Sequence, residues 1–261
     1  MHISGDIGFR LFGLTFTYYG LFIVAGIVAG GALAAVQARR HKLDFDNVIL
    51  LACICGVCAF IGAKLLYLLV SLPHIDFARL SDPEHLTMLL GGGFVFYGGL
   101  LGALAGVPLA GRLFKFDALR AANLIAPCLA LGHGFGRLGC LAVGCCYGMP
   151  WDGPLSVTYD HSFVAPNGTP LLAVQLIEAL CEFALAAILL VYVNRLDGTH
   201  GIAVYVAAYA VMRFVLEFFR FDDVERGIAA GLSTSQWISI ALVAGVVVWM
   251  LLARARARRS D

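Results

Sequence analysis

Stretches of about 20 mostly apolar residues recur along this chain between clusters of charge, and about that many are needed for a helix to cross the hydrocarbon layer of a membrane. Seven such windows are present, approximately from Leu14 to Gln37, Val48 to Leu72, Gly93 to Leu113, Ala121 to Tyr147, Leu171 to Val193, Ile202 to Phe219 and Thr234 to Ala253. Backbone polar groups in lipid must be satisfied within the protein, so only helices and closed barrels span it, and windows of this length without strict alternation read as helices. The expected fold is an all-α polytopic membrane protein of about seven transmembrane helices. Composition supports this: 61% of residues are hydrophobic and 13% charged, against roughly 25% charged in a soluble domain. A water-soluble globule and a disordered chain are both excluded. A net charge of +1 without a basic face also lacks the footprint of a nucleic-acid-binding protein.

The placement of the basic residues predicts the orientation. One set of connections holds Arg39, Arg40 and Lys42, then Arg112, Lys115 and Arg120, then Arg195, and finally Arg254, Arg256, Arg258 and Arg259. The other holds only Arg10, Arg79, Arg220 and Arg226. The positive-inside rule therefore puts the amino terminus outside and the carboxyl terminus in the cytoplasm. The first ten residues lack a basic leader, so the first apolar stretch reads as a retained helix. The chain, 1–261, is treated as a single transmembrane domain with outer loops or arms at 73–92 and 148–170. The second of these carries four prolines, an Asn-Gly and β-formers around Val157, and suits a small hairpin over the membrane surface after the fourth helix.

Lys64, Arg137 and Arg213 fall inside or at the ends of apolar windows, as do Glu178, Glu182 and Glu217. An intramembrane charge costs several kcal/mol unless it is paired or wetted, which makes each a candidate functional residue. Structural readings stand beside the functional ones. Arg213 and Glu217, spaced i, i+4, can neutralise one another, Lys64 can snorkel toward water, and Glu178 and Glu182 can brace the bundle.

The fourth window contains the richest chemistry, in the run LGHGFGRLGCLAVGCCYG. Its glycines allow close backbone approach between helices. His133, Arg137 and Cys140 share a face by i, i+4, i+7 spacing. A guanidinium in a low-dielectric cavity suits a phosphate, and the nearest phosphates are those of phospholipid head groups. Arg137 bonding only backbone carbonyls, and His133 as a satisfied core histidine, are the alternatives. Among the eight cysteines, Cys53, Cys55, Cys58, Cys128 and Cys181 read as small apolar residues. Cys140, Cys145 and Cys146 lie beside Arg137, where a cation favours the thiolate. Their spacing is not the paired C-x-x-C of a zinc site, so neither a metal nor another cofactor is expected.

Several strings in order, YGLFIVAG from Tyr19, FIGAKLLY from Phe60, GGGFVFYGGLLG from Gly91, IAPCLALGHGFGRLGCLAVGCCYG from Ile125, the segment from Pro170 to QLIE, MRFVLEFFR from Met212 and LSTSQWIS from Leu232, resemble the prolipoprotein diacylglyceryl transferase family. The resemblance covers most of the chain. It implies transfer of a diacylglyceryl group from phosphatidylglycerol to a precursor's cysteine thiol, with glycerol 1-phosphate released, in the bacterial inner (cytoplasmic) membrane. The implied partners are phosphatidylglycerol, the lipobox segment of a prolipoprotein and the lipid bilayer. Arg137 matches the arginine of the glycine-rich signature, and Arg213 and Arg220 match those around EFFR, which would clamp the phosphate. Tyr19, Gly98, Gly99, Gly148, Gln175 and Glu178 fall on further motif positions and, with Lys64, are candidate substrate-binding residues.

Three positions depart from the family pattern. Tyr97-Gly98-Gly99 stands for His-Gly-Gly, Gly139-Cys140 for Gly-Asn, and Gly144-Cys145 for Gly-Glu. The catalytic candidates are therefore Arg137, Tyr97, His133, Arg213, Cys140 and Cys145, with Tyr97 or His133 taking the proton-transfer role. One alternative is a related phospholipid-dependent transferase with another acceptor, in which Cys140, Cys145 or Cys146 forms a covalent intermediate. Another is a non-catalytic membrane protein that binds a lipid, thiol or metal through its cysteines.

Overall fold

The structure is a computed structural model that describes residues 1–11, 13–72, 82–83, 87, 95–196, 198–221 and 230–260. The expected outer arm at 73–92 lies almost wholly outside the described residues. Among the described residues seven helices are long and apolar enough to cross a membrane, and the chain is a multi-pass membrane protein. They are α1 (Tyr18–Arg40), α2 (Phe45–Ser71), α3 (Phe96–Phe114), α4 (Ala118–Val143), α5 (Val174–Arg195), α6 (Gly201–Leu216) and α7 (Thr234–Ser260). A 3-10 turn, Glu217–Phe219, continues α6. Aliphatic side chains such as Ile27, Val28, Leu65, Leu69, Val247 and Leu251 stand exposed, as lipid-facing positions require and as a water-facing surface would not tolerate in such number.

Two window edges are strands rather than helix, and the fourth helix ends at Val143, short of Tyr147. Leu14–Thr17 is a strand, β3, paired antiparallel with β2 (Gly8–Leu11) in register Phe9↔Phe16, so α1 begins only at Tyr18. Leu171–Leu172 is also a strand, β5, rather than helix. It pairs antiparallel with β4 (Ser156–Tyr159), which pairs parallel with β1 (His2–Ile3). Pro170 at the entry of β5 and the ladder to Ser156 and Val157 hold this stretch extended, so α5 starts at Val174.

The described chain forms two compact units, Met1–Val36 with Asn123–Asp261, and Gln37–Ala122. In the first, α5 packs on α6 and α6 on α7. The β4–β5 segment folds against the end of α4 through Leu141, Val157, Tyr159, Ala165, Leu171 and Ala173, and the Tyr159 hydroxyl donates to the Leu141 carbonyl at 2.9 Å. That hydroxyl caps a carbonyl that the end of the helix leaves without an intrahelical partner.

The second unit is built on the pairing of α2 with α3. Gly98 and Gly102, one turn apart on α3, lie against Gly62 and Cys58 on α2, so close that a Cβ on Gly98 would strike the Gly62 carbonyl and one on Gly102 the Cys58 carbonyl. Lipid tails are as apolar as leucine, so helices in a membrane gain from close backbone contact rather than from hydrophobic burial.

Candidate active site

Three neighbouring helices of the first unit each contribute polar groups at one-turn spacing. Arg137 and His133 on α4 face Glu178 and Glu182 on α5 in matching register: Arg137 Nη2 lies 3.0 Å from Glu178 Oε1, and His133 Nδ1 lies 3.0 Å from Glu182 Oε1. From α6, the Tyr205 hydroxyl stands 3.1 Å from His133 Nδ1, and the Tyr209 ring packs on the imidazole at 4.9 Å between centroids. Glu178 and Glu182 are only 1% and 0% exposed. Carboxylates this deeply buried persist only with cationic or donating partners, and Arg137 and His133 of α4 stand against them. Arg213, two turns along α6 from Tyr205, is paired with Glu217 at 2.6 Å, the neutralising arrangement that i, i+4 spacing allows.

These pairs leave donors over. Arg137 Nε and Arg213 Nη1 are buried without a hydrogen-bond partner among the described residues. An unsatisfied buried donor costs about 1–3 kcal/mol, and an oxyanion is the ligand that satisfies a guanidinium best.

At the end of α4 the chain turns sharply. Gly144, at φ +81°, sends its N–H back to the Cys140 carbonyl at 2.9 Å, the left-handed helix ending that only glycine adopts without steric cost. Cys146 is also left-handed, at φ +59°, a conformation that costs a non-glycine residue about 1–2 kcal/mol. The two left-handed residues fold the loop back so that the thiols of Cys140, Cys145 and Cys146 all lie within 4.8 Å of one another. Hydrogen bonds from its two thiol neighbours, and then the nearby Arg220 and Arg137 guanidiniums, hold the Cys146 thiol below its usual range. The Cys145 thiol is pushed up, because it holds its proton in hydrogen bonds to Cys140 and Cys146.

Surrounding strands and helices fix this loop. Gln175 Nε2 donates to the Cys145 carbonyl at 2.8 Å. Gly148 forms an antiparallel bridge with Arg220, flanked by Met149 N–H to the Phe219 carbonyl at 2.8 Å and Phe221 N–H to the Tyr147 carbonyl at 3.1 Å. The Tyr19 ring lies beside Gly139, 3.0 Å from where a Cβ would be, within electrostatic reach of Arg137 and the three thiols.

A sequence profile of the prolipoprotein diacylglyceryl transferases matches residues 6–252. The chain belongs to this family. Among curated relatives, a phosphatidylglycerol–prolipoprotein diacylglyceryl transferase of Clostridium tetani is 35% identical over 92% of this chain and 95% of its own length. One from Geobacter sulfurreducens is 32% identical over 97% and 96%, and phosphatidylglycerol–prolipoprotein diacylglyceryl transferase 2 of Clostridium perfringens is 31% identical over 96% of both chains.

Membership gives the remaining candidates their context. Arg137, His133, Cys140, Cys145, Arg213, Arg220, Tyr19, Gly148, Gln175 and Glu178 all lie in the first unit. Tyr97, Gly98, Gly99 and Lys64 lie in the second. Tyr97 is half-buried in the first turn of α3, Gly98 is engaged against α2, and the Lys64 ammonium sits 4.7 Å from the Tyr67 ring centroid. Sequence reasoning passed over Tyr205 and Tyr209. Their signal was available, since Tyr205, Tyr209, Arg213 and Glu217 recur at four-residue intervals. Cys146 joins the site through its left-handed backbone.

Proposed function

We propose that this chain transfers the diacylglyceryl group of phosphatidylglycerol to the cysteine thiol of a prolipoprotein, in the bacterial inner membrane, with its amino terminus outside and its RARARR tail in the cytoplasm. The carrying observation is Arg137: a buried guanidinium with one nitrogen on Glu178 and its Nε unsatisfied, on a loop-and-helix platform that also brings up Arg220. Family membership and the names of the curated relatives support the same reaction.

In this reading Arg137, with Arg220 and Arg213, receives the lipid phosphate. Attack of the acceptor sulfur on the glyceryl carbon breaks the carbon–oxygen bond to phosphate, and the bonding pair leaves on the phosphate oxygen. A phosphodiester with one negative charge becomes a monoester with two, so fixed cations stabilise the transition state more than the ground state. Glu178 holds Arg137 in place, and Gln175 holds the loop. The acceptor proton passes to His133, whose imidazole is set by the buried Glu182 carboxylate as a base is set by its orienting acid. Tyr19, Gly148 and the β4–β5 arm frame the lipobox segment.

The test is direct. Purified protein in phosphatidylglycerol micelles with a lipobox peptide is expected to give thioether-linked diacylglyceryl peptide and glycerol 1-phosphate. Neither product forming, under conditions where a known family member turns over, refutes the reading.

A further inference from the structure

The convergence of three thiols at the end of α4 is unexplained by packing or by phosphate binding. We infer that Cys140, Cys145 and Cys146 form a three-thiolate site for a soft divalent cation of the zinc class, with a fourth position left for the acceptor thiol.

Spacing along the sequence argued against a metal because no paired C-x-x-C is present. The fold reaches the same ligand set by another route, through the reversal at Gly144 and the left-handed Cys146. The three sulfurs lie within 4.8 Å of one another, and thiolates around zinc at about 2.3 Å would stand roughly 3.8 Å apart. Side-chain rotation alone covers that difference. The backbone beneath them is braced by Gln175 at the Cys145 carbonyl and by the Gly148–Arg220 bridge, so the ligands are largely in place before a cation arrives. All three are free thiols, with Cys140 buried and the other two half-buried, so the site is sheltered but reachable. Three thiolates and a divalent cation carry one net negative charge, and the neighbouring Arg137 and Arg220 offset it.

Three protein ligands leave zinc one open position, the mark of a catalytic rather than a structural site. Its role in transfer rests on the function proposed above. The acceptor thiol would bind at that position, and its proton would pass through water to the His133–Glu182 pair two turns away along α4. Its sulfur then forms the bond to the glyceryl carbon as the carbon–oxygen bond breaks and glycerol phosphate departs toward Arg137. A cation that favours a bound thiolate supplies nucleophile activation where the family pattern has polar Asn and Glu side chains and this chain has cysteines.

Reduced, metal-free protein in detergent is titrated with Zn2+ or Cd2+ alone. The expected result is one equivalent bound per chain, with a sulfur-to-cadmium charge-transfer band, and protection of these three cysteines from iodoacetamide in peptide mass mapping. Cys145→Ser and Cys146→Ser should each weaken binding by roughly 100-fold, whereas Cys128→Ser and Cys181→Ser leave it unchanged. The mapping on unaltered protein decides the matter even if a variant fails to fold. Equal alkylation with and without metal, binding unaffected by both serine variants, or a disulfide among the three thiols in protein isolated without reductant overturns the site. Full transfer by metal-free protein overturns the activating role alone, and leaves the phosphate reading to stand or fall on Arg137→Ala.

Discussion

Arg137 on α4 and Glu178 on α5 form an ion pair at 3.0 Å in which the carboxylate is almost completely buried and the guanidinium keeps an unsatisfied Nε. The pair therefore joins two functions that separate variants can pull apart: it holds two helices together, and it presents a donor to an anion.

Removing one partner strands a buried charge, which costs about 3–5 kcal/mol. Glu178→Ala is expected to lower thermal stability in detergent sharply, and Arg137→Ala to do likewise. The double variant Arg137→Met/Glu178→Met should recover much of that stability while remaining inactive in diacylglyceryl transfer. Recovery of both would remove Arg137 from the chemistry.

Arg137→Lys keeps the charge but loses the planar fork. Turnover with phosphatidylglycerol should fall on the order of 10²-fold, with a stability change much smaller than that of Arg137→Ala.

His133 and Glu182 belong to a shared network with Tyr205. His133→Gln and Glu182→Gln should be non-additive by about 0.5–3 kcal/mol in a double-mutant cycle of transfer rates. Strict additivity would show that the imidazole works without its carboxylate.

Burial, and then the adjacent Cys145, push the Tyr159 hydroxyl above its ordinary range, near 10 for an unfolded chain. The fold requires the neutral phenol, so its contribution is complete below about pH 10 and is lost progressively as pH rises above that. Tyr159→Phe, which removes the bond to the Leu141 carbonyl, should cost about 1–2 kcal/mol at neutral pH and flatten the alkaline fall of the melting temperature. An unchanged alkaline slope would refute the assignment.

Gly102→Leu should force α2 and α3 apart, since even a Cβ there meets the Cys58 carbonyl. The expected readout is a lowered melting temperature and faster proteolysis within 37–122, while the exposed Gly31→Ala, with open space around it, leaves both unchanged.

The seven spans follow from local composition alone. A run of apolar residues long enough to cross lipid must become a helix to satisfy its own backbone, wherever its neighbours lie. The face shared by His133 and Arg137 is likewise a property of one helix, and both do point toward α5. Ordered motif strings reveal the family for the same reason, because each string is contiguous in the sequence. What the partners of those side chains would be was not legible: Arg137 meets Glu178, and His133 meets Glu182 and Tyr205, across gaps of tens of residues that no periodicity encodes. The short strand β1 gave no signal either, since two residues show no alternation and its partner β4 comes more than 150 residues later. Convergence of Cys140, Cys145 and Cys146 depends on two left-handed residues in a loop braced by Gln175 and Arg220. Backbone dihedrals and long-range contacts set that geometry, and they are decided only when the whole chain has packed.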